Sequence, residues 1–252
     1  MDQNIFSGDY AEIIYPAMKA YLFDKDKAGE YAVRILDRFF SSKGKNEVKV
    51  IELCCGDGTD AKIIQDAGYS IDVLDGSKEF VDMAVKKLEY KSNGILSDVT
   101  KGWSLDPIVF AKYDAAICLM SSVLIKDFDS FVTRVRDSLK NDGIFAFDFR
   151  NVMVFAFHQS NIREEQFGEI KRTVVEKISN NKREATYKYS YPKGGVVKTL
   201  SVSHTSFLRS TWQIAEILKK HCFEIVDMFN WNTFEKAAPS EDENIMVIAR
   251  KR

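Results

Sequence analysis

The sequence predicts an α/β fold in three layers, with a doubly wound, mostly parallel sheet and an inserted antiparallel sheet. Between Val48 and Arg150, short apolar runs of strand length alternate with segments of helical period, as in a parallel sheet covered by helices. After Arg150 the apolar period changes to two, which is typical of antiparallel strands. The length of 252 residues suits a single domain with an appendage better than two full domains.

Five apolar runs and the helices that connect them predict the parallel part of the sheet. The predicted strands are Val48 to Leu53, Ser70 to Leu74, Gly94 to Ser97, Tyr113 to Leu119 and Gly143 to Phe149. The predicted helices between them are Thr59 to Ala67, Ser77 to Tyr90 and Asp127 to Lys140. Ser77 suits a helix start because a serine oxygen accepts a free backbone N–H, and the Asn141-Asp142-Gly143 turn marks the end of the last helix. Strand, helix and strand in this order give right-handed crossovers.

The remaining predicted elements lie on either side of this core. Two N-terminal helices, Tyr10 to Phe23 and Tyr31 to Phe40, are predicted to cover one end of the sheet. Glu184 to Tyr191 and Val196 to Phe207 alternate apolar and polar residues around a Pro-Lys-Gly-Gly turn, and therefore predict an antiparallel hairpin. The last predicted elements are a helix from Thr211 to His221 and strands from Cys222 to Phe229 and from Asn244 to Ala249.

The composition argues against several classes of protein. With 36 Lys and Arg against 37 Asp and Glu, the chain has no large positive field for a nucleic acid, so a small ligand is expected. Four cysteines are too few for a disulfide framework, and the start of the chain does not read as a signal peptide. No apolar run reaches the roughly 18 residues of a membrane span. We therefore expect a cytoplasmic protein that binds neither nucleic acid nor membrane, and we interpret Lys171-Arg172 and Lys182-Arg183 as solvated charge.

A glycine-rich turn follows the first predicted strand. Gly56 and Gly58 let a ligand approach the backbone closely, and the next helix offers free N–H groups at its start. Open α/β sheets bind ligands at the carboxyl ends of their strands. Gly56 to Ala61 also matches the dinucleotide fingerprint G-x-G-x-x-A, so an NAD(P)-dependent oxidoreductase is an alternative. A third alternative is a binding protein that holds a nucleotide without catalysing a reaction.

Three acids near these strand ends distinguish between the possible ligands. Asp75 lies 19 residues past Gly56, where a carboxylate can accept both hydroxyls of a ribose. Asp98 follows the third predicted strand and can accept a hydrogen bond from an adenine amino group. Glu52 adds negative charge beside the turn, which repels a pyrophosphate and attracts an ammonium. The acids therefore favour adenosine joined to a zwitterion over adenosine joined to a diphosphate.

Three segments together resemble a known family. Val50 to Thr59, Tyr69 to Ser77 and Tyr113 to Leu119, in this order and spacing, resemble the class I S-adenosylmethionine-dependent methyltransferases over about residues 46–150. The resemblance implies the Rossmann-like methyltransferase fold, methyl transfer as the activity and S-adenosylmethionine as the cofactor. Cys54 departs from the pattern, because the family usually has its first glycine there. A small side chain is tolerated at this position if its backbone φ is negative.

The resemblance also implies a division of the single domain and a set of site residues. Residues 1–45 are then N-terminal helices, 46–151 bind the donor, 152–208 form an antiparallel insertion over the acceptor, and 209–252 complete the core. The implied donor-binding residues are Tyr10, Tyr15, Glu52, Cys54, Gly56, Gly58, Asp75, Gly76, Asp98, Val99 and Leu119. The sequence has no metal-ligand spacing, and methyl transfer from a sulfonium requires alignment and exclusion of water rather than a nucleophile. No metal is therefore expected.

The segment from Phe147 to Asn151 narrows the resemblance. Followed by an antiparallel insertion, it is similar to the glycine and sarcosine N-methyltransferases, and amino-sugar N-methyltransferases share the inserted sheet. This similarity implies that Arg150 holds an acceptor carboxylate and that Ser121 contacts the acceptor, and His204 is a further candidate. We expect transfer to the amine nitrogen of a small carboxylate-bearing acceptor, with glycine-like amino acids ahead of amino sugars or hydroxyl acceptors. The sequence leaves the oligomeric state open.

Overall fold

Two β-sheets form the framework of the protein, for which a computed structural model describes residues 7–22, 27–99, 110–155, 161–179 and 181–252. The strands are β1 Lys49–Leu53, β2 Ser70–Asp75, β3 Gly94–Leu96, β4 Tyr113–Cys118, β5 Leu139–Arg150, β6 Asn161–Phe167, β7 Ile170–Ser179, β8 Lys182–Lys193, β9 Val196–Phe207, β10 Phe223–Asn230 and β11 Asn244–Lys251. The helices are α1 Tyr15–Leu22, α2 Lys27–Phe39, α3 Thr59–Asp66, α4 Lys78–Lys87, α5 Phe128–Ser138, α6 Val152–Phe155 and α7 Thr211–Lys220. Shorter helical turns are Tyr10–Ile14, Lys45–Glu47 and Ser122–Leu124.

The larger sheet has seven strands in the order β10-β11-β5-β4-β1-β2-β3. Strand β1 pairs in parallel with both β2 and β4, so the chain runs outward to β3 on one side and to β5 on the other. The order of connections therefore reverses between β1 and β4, and this switch point is where open α/β sheets bind ligands. Strand β11 is antiparallel to both of its neighbours. The predicted mostly parallel, doubly wound α/β fold is confirmed.

The apolar run of β1 is uninterrupted because both faces of the sheet are covered. Ile51 and Leu53 pack with side chains of α5 and α7 on one face, and Val50 packs with α2 and α3 on the other. Burial of each such side chain contributes about 1.5–3 kcal/mol. Glu52 is the exception in this strand, since it is buried although it carries a carboxylate.

The third predicted connecting helix ends earlier than the sequence indicates. Helix α5 ends at Ser138, not Lys140, and β5 begins at Leu139, which pairs with Tyr113. The Asn141-Asp142-Gly143 turn signal instead marks a bulge within β5, where Asp142 has a φ of +59° and the pairing register shifts. The physical reason is that the side chain of Leu139 is fully buried in the core, which draws this residue into the sheet.

The insertion contains four antiparallel strands in the order β6-β7-β8-β9. The predicted hairpin corresponds to β8 and β9, and the sequence prediction missed β6 and β7. Those two strands are rich in charged residues, which hide the alternation of inner and outer positions. Arg172 and Arg183 are buried on the inner face, so the interpretation of both as solvated charge is wrong.

Ion pairs explain how the inner face of the inserted sheet buries these charges. The guanidinium of Arg172 pairs with Glu165. The carboxylate of Glu176 accepts hydrogen bonds from Arg163 Nη1 at 2.7 Å and Arg183 Nε at 2.7 Å. Buried charges persist in a fold when they are paired and hydrogen-bonded in this way.

The N-terminal segment lies between the two sheets. Its helical turn from Tyr10 to Ile14 continues directly into α1, and the N–H of Tyr15 bonds to the carbonyl of Tyr10. Pro16 is the second residue of α1 and follows this turn without a break, because its fixed φ of about −65° suits a helix although it donates no backbone N–H. Phe23, the last residue of the predicted helix, lies outside the described residues.

Gly58 and Gly194 provide a test of how tightly α4 packs on the glycine turn. Both have positive φ, +74° and +63°, but only Gly58 is crowded. A β-carbon on Gly58 would lie 2.6 Å from Cα of Ala84 in α4, whereas one on Gly194 would meet nothing within 4 Å. We expect Gly194→Ala to cost about 1 kcal/mol from backbone strain, and Gly58→Ala about 3 kcal/mol because α4 must also shift. Urea unfolding measures both values, and equal losses would contradict tight packing.

Candidate functional site

The turn between β1 and α3 has three residues in the left-handed backbone region. Cys54, Gly56 and Gly58 have φ values of +59°, +53° and +74°. The condition under which a small side chain is tolerated at Cys54, a negative φ, is therefore not met. A residue with a β-carbon here carries a strain of about 1–2 kcal/mol that glycine would avoid. Neighbouring backbone bonds hold the turn, including one of 3.0 Å from Cys55 N–H to the carbonyl of Leu74 in β2.

The two glycines of the turn make room for different parts of the protein. A β-carbon on Gly56 would lie 2.7 Å from the hydroxyl of Tyr15, so the N-terminal segment occupies that space. The space beside Gly58 is filled by Ala84 of α4. On the β-carbon side, α4 therefore packs against Gly58 and the N-terminal segment against Gly56, and the approach of a ligand to the backbone of these two glycines stays a prediction.

Asp75 lies at the carboxyl end of β2 and is fixed by backbone donors. Its carboxylate accepts hydrogen bonds from Gly56 N–H at 3.0 Å and Ser77 N–H at 2.9 Å. Burial raises the pKa of Asp75, the N–H groups oppose this, and the charge of Asp98 adds to it. Asp98 lies beside Gly76, where an added β-carbon would come 3.4 Å from Cα of Asp98. The structure thus brings the acidic ends of β2 and β3 together, as their sequence positions predict.

The carboxylate of Glu52 is buried beneath the glycine turn. Within the described part of the chain, its Oε2 is the one buried side-chain polar atom that has no hydrogen-bond partner. Burial, and next the charge of Asp60, raise the pKa of Glu52 well above its usual value, and the charge of Lys19 lowers it. A buried carboxylate oxygen without a donor is costly, so this atom is suited to a cationic ligand group.

Lys19 of α1 balances the acids around the turn. Its Nζ lies 3.4 Å from Asp57 and 3.2 Å from Asp60, and its side chain is almost fully buried. Burial lowers the pKa of Lys19, but the charges of Asp60 and Asp57 outweigh this effect and leave the pKa raised. The lysine is therefore held in its charged form. No pattern in the sequence marks it, because the charge lies in a weakly periodic helix.

Aromatic rings connect the N-terminal segment to both sheets. The ring of Tyr15 lies 4.8 Å from that of Phe80 in α4, and the ring of Tyr10 lies 6.0 Å from that of Tyr189 in β8. Burial raises the pKa values of Tyr10 and Tyr15 well above their usual range. Both phenols therefore stay neutral, and the segment closes the space between the glycine turn and the inserted sheet.

Cationic side chains gather where the inserted sheet faces the end of β5. Burial, followed by the charge of Arg183, lowers the pKa of Arg150. Burial together with Arg183 and Arg150 lowers the pKa of His204 to about 4, and its ring stacks 5.1 Å from that of Tyr187. Arg183 donates to the hydroxyl of Tyr187 at 3.1 Å. The structure thus brings the predicted residues Arg150 and His204 together, and adds Arg183 and Tyr187, which the sequence did not assign to the site.

The loop after β4 forms the floor of this region. Asp148 in β5 accepts the backbone N–H of Met120 at 2.5 Å, and Met120 has a φ of +66°. Burial raises the pKa of Asp148 to about 6. Leu119 and Ser121 flank Met120 and are half-buried, and the turn that follows packs against β9, the strand of His204. The loop that contains Leu119 and Ser121 therefore connects the carboxyl end of β4 to the turn that packs on the inserted sheet.

The fold and this site define a class I S-adenosylmethionine-dependent methyltransferase. Residues 23–200 match the family described as Methyltransferase domain, so the chain belongs to that family. The protein is accordingly an enzyme that uses S-adenosylmethionine. Both the oxidoreductase and the non-catalytic interpretation of the glycine turn are set aside by this result.

Solved structures give the same fold. An S-adenosylmethionine-dependent methyltransferase from Clostridium acetobutylicum ATCC 824 superposes with a TM-score of 0.80 at 17% identity, over 97% of this chain and 99% of that one. The sugar N-methyltransferase KedS8 from Streptoalloteichus sp ATCC 53650 gives 0.77 at 14% identity, over 100% and 98%. CalS10, an amino pentose methyltransferase from Micromonospora echinaspora, gives 0.70 at 12% identity, over 100% of both chains.

The search of curated proteins returned no match. Within the described residues, no helix has both the length and the apolar character needed to span a membrane.

Replacement of Lys19 tests the charge balance under the turn. Lys19→Met keeps the volume but leaves Asp57, Asp60 and Glu52 with one cation fewer in a buried place, so we expect a loss of about 3 kcal/mol in unfolding free energy. Lys62→Met, which removes an exposed pair with Asp66, is the matched control and should cost about 0.5 kcal/mol or less. Chemical denaturation measures both, and a similar small loss in the two variants would contradict the role given to Lys19.

Proposed function

We propose that the enzyme transfers the methyl group of S-adenosylmethionine to an amine nitrogen of a small acceptor that also carries an anionic group. One contrast of charge carries this proposal: the buried Glu52 oxygen beneath the glycine turn has no hydrogen-bond partner, whereas the guanidinium groups of Arg150 and Arg183 interact where β5 faces the inserted sheet. The first suits a cationic donor and the second an anionic acceptor. The chain would act as one methyltransferase domain with the division 1–45, 46–151, 152–208 and 209–252.

The residues at the carboxyl ends of β1, β2 and β3 fit the donor. S-adenosylmethionine supplies a methyl group on a sulfonium, and it also carries an ammonium and an adenosine. Glu52 would hold the ammonium, the carboxylate of Asp75 would accept the ribose hydroxyls, and Asp98 with Val99 would contact the adenine. Gly56 would let the backbone approach the donor, with Cys54, Gly76 and Leu119 at its edges. Tyr10 and Tyr15 would cover it and exclude water.

The charge around the turn supports this donor over a dinucleotide. The charges of Asp60, Asp57 and Asp75 raise the pKa of Glu52, and the charge of Lys19 lowers it. A diphosphate placed here would meet net negative charge, whereas an ammonium would supply the donor that Glu52 lacks. The donor amino group therefore satisfies a hydrogen-bond requirement that the protein itself leaves open.

Arg150 would bind the anionic group of the acceptor. Burial, and next the charge of Arg183, disfavour its charged form, whereas Glu243, Tyr187 and Asp148 favour it. A carboxylate matches the planar guanidinium with two parallel hydrogen bonds, which would relieve that destabilisation. Ser121 would contact the acceptor from the floor of the site.

His204 would accept a hydrogen bond from the acceptor amine. Its pKa of about 4 keeps the imidazole neutral at pH 7, so one ring nitrogen carries a free lone pair. A protonated histidine between two arginines would instead repel the amine. We assign His204 a positioning contact with the amine, because its low pKa makes it a weak base.

Two acceptor classes fit this arrangement. A glycine-like amino acid provides an amine and a carboxylate a short distance apart. The segment from Phe147 to Asn151, which is similar to that of the glycine and sarcosine N-methyltransferases, favours this class. An amino sugar is the second candidate, because KedS8 and CalS10 are sugar and amino pentose methyltransferases that share the fold. A screen of both classes with a methyl-labelled donor distinguishes them. The four free cysteines support a cytoplasmic location as part of the same proposal.

Donor binding should release protons from Glu52. The raised pKa makes this carboxyl easier to protonate in the free protein than an exposed glutamate, and a bound ammonium would lower the pKa again. We therefore expect S-adenosylhomocysteine, which has the same amino group, to release protons on binding over the pH range in which Glu52 titrates. Calorimetry in buffers of different ionisation enthalpy measures the number of protons released.

The variant Glu52→Gln should lose the proton release and weaken binding by about 1–3 kcal/mol. Glu89→Gln, at an exposed position, is the control and should behave as the unmodified protein. Proton release that persists in Glu52→Gln would remove Glu52 from the donor site.

Arg150→Lys should raise the KM for the acceptor at least about tenfold while changing the KM for the donor by less than about twofold. Lysine keeps the charge but cannot form the two-pronged contact with a carboxylate. Arg136→Lys, on the surface of α5 beside Asp137, is the control. Steady-state kinetics with each substrate varied in turn gives both constants, and a larger change in the donor KM would refute the role of Arg150.

A further inference from the structure

Two cysteines meet at the switch point of the large sheet. Cys54 follows β1, and Cys118 is the last residue of β4, the parallel strand beside it. The register pairs Glu52 with Ile117, so the two cysteines are only one position out of step on neighbouring strands. They therefore lie on the two sides of the crevice in which the donor is proposed to bind.

The two side chains are near neighbours. Cys54 packs against the apolar cluster that contains Cys118, on one face of the sheet. Neighbouring strands lie about 4.8 Å apart, so positions close in register on β1 and β4 fall near the roughly 4.4–6.8 Å range of Cα separations that a disulfide spans. The strand pairing therefore places the pair where a small movement of the turn would allow a covalent bond.

The four cysteines differ in ways that single out this pair. Cys54 is partly exposed, whereas Cys118 is fully buried. The interaction with Cys54, and next burial, raise the pKa of Cys118. Cys55 is buried and points its thiol at the carbonyl of Gly56, 3.6 Å away. Cys222 is exposed at the start of β10 and serves as an internal control.

We infer that Cys54 and Cys118 form a peroxide-sensitive dithiol whose oxidation to a disulfide weakens donor binding. The Cys54 sulfur attacks a hydroperoxide, taking one oxygen to become a sulfenic acid and releasing water from hydrogen peroxide. The Cys118 sulfur then attacks the Cys54 sulfur and displaces the oxygen as a second water. Two thiols and one hydrogen peroxide thus give one disulfide and two waters, with sulfur oxidised and the peroxide reduced.

The expected effect on the donor follows from the position of Cys54. In a disulfide the two sulfur atoms are about 2.05 Å apart. Formation of this bond would therefore move the glycine turn toward β4 and narrow the crevice between them. The same turn carries Glu52 and the Gly56 N–H that fixes Asp75 at 3.0 Å. Because Cys54 is already in a left-handed conformation, it has little room to adjust without carrying its neighbours along. This consequence rests on the donor site proposed above.

The test treats the full-length protein with hydrogen peroxide and blocks the remaining thiols by alkylation. Peptide mass spectrometry is expected to show a linked Cys54–Cys118 peptide that has lost two hydrogens. Calorimetry with S-adenosylhomocysteine is expected to show a Kd raised about tenfold or more, and restored by dithiothreitol. C54S and C118S should each form no linked peptide, and C118S should keep its pre-treatment affinity. C222S should respond as the unmodified protein does.

The outcomes separate this inference from the donor site itself. A linked peptide without a change in affinity, or peroxide loss of affinity without the linked peptide, overturns the dithiol switch and leaves the donor site intact. A reduced protein that does not bind S-adenosylhomocysteine overturns the proposed donor site and, with it, the effect assigned to the disulfide.

Discussion

A buried group of opposite charges beneath the glycine turn determines how the rest of the site is assembled. Asp57 bonds to Lys87 of α4 at 2.8 Å, and Asp60 accepts the backbone N–H of Gly29 in α2 at 3.1 Å. Lys19 brings α1 to both acids. The carboxylates of Asp57, in the turn, and Asp60, at the start of α3, therefore orient three separate helices. Such contacts contribute little net stability, but loss of one partner leaves a buried charge uncompensated, which fixes the arrangement.

The inserted sheet uses the same principle on its inner face. Glu176 holds Arg163 and Arg183, and Arg183 in turn holds the hydroxyl of Tyr187. These contacts place the guanidinium of Arg183 and the phenol of Tyr187 beside His204. All three residues belong to the inserted sheet. The orientation of these side chains on the inner face of the inserted sheet thus depends on charged pairs within the insertion. The N-terminal segment fills the gap between this face and the glycine turn.

The sequence predicted those parts of the protein that follow from local pattern. Strand ends, the glycine turn and the acids that follow β2 and β3 are set by periodicity and spacing, and the fold class was confirmed. Lys19 and Arg183 could not be found in this way, since a charged residue becomes a buried partner only through contacts made by distant segments. Leu139 shows the same limit, because its burial in the core overrode a turn signal three residues later. The conformation of Cys54 likewise depends on its neighbours in β2 and β4.

The positive charge of Arg150 and Arg183 would affect the protonation of an acceptor amine, which must be neutral to accept a methyl group. A positive charge nearby disfavours protonation of an amine, and burial, with the charges of Arg183 and Arg150, lowers the pKa of His204 to about 4 in this region. An acceptor whose anionic group binds Arg150 would bring its amine into this field. The wall that recognises the anion would thus also favour the neutral amine, so that methyl transfer needs no strong base in the protein.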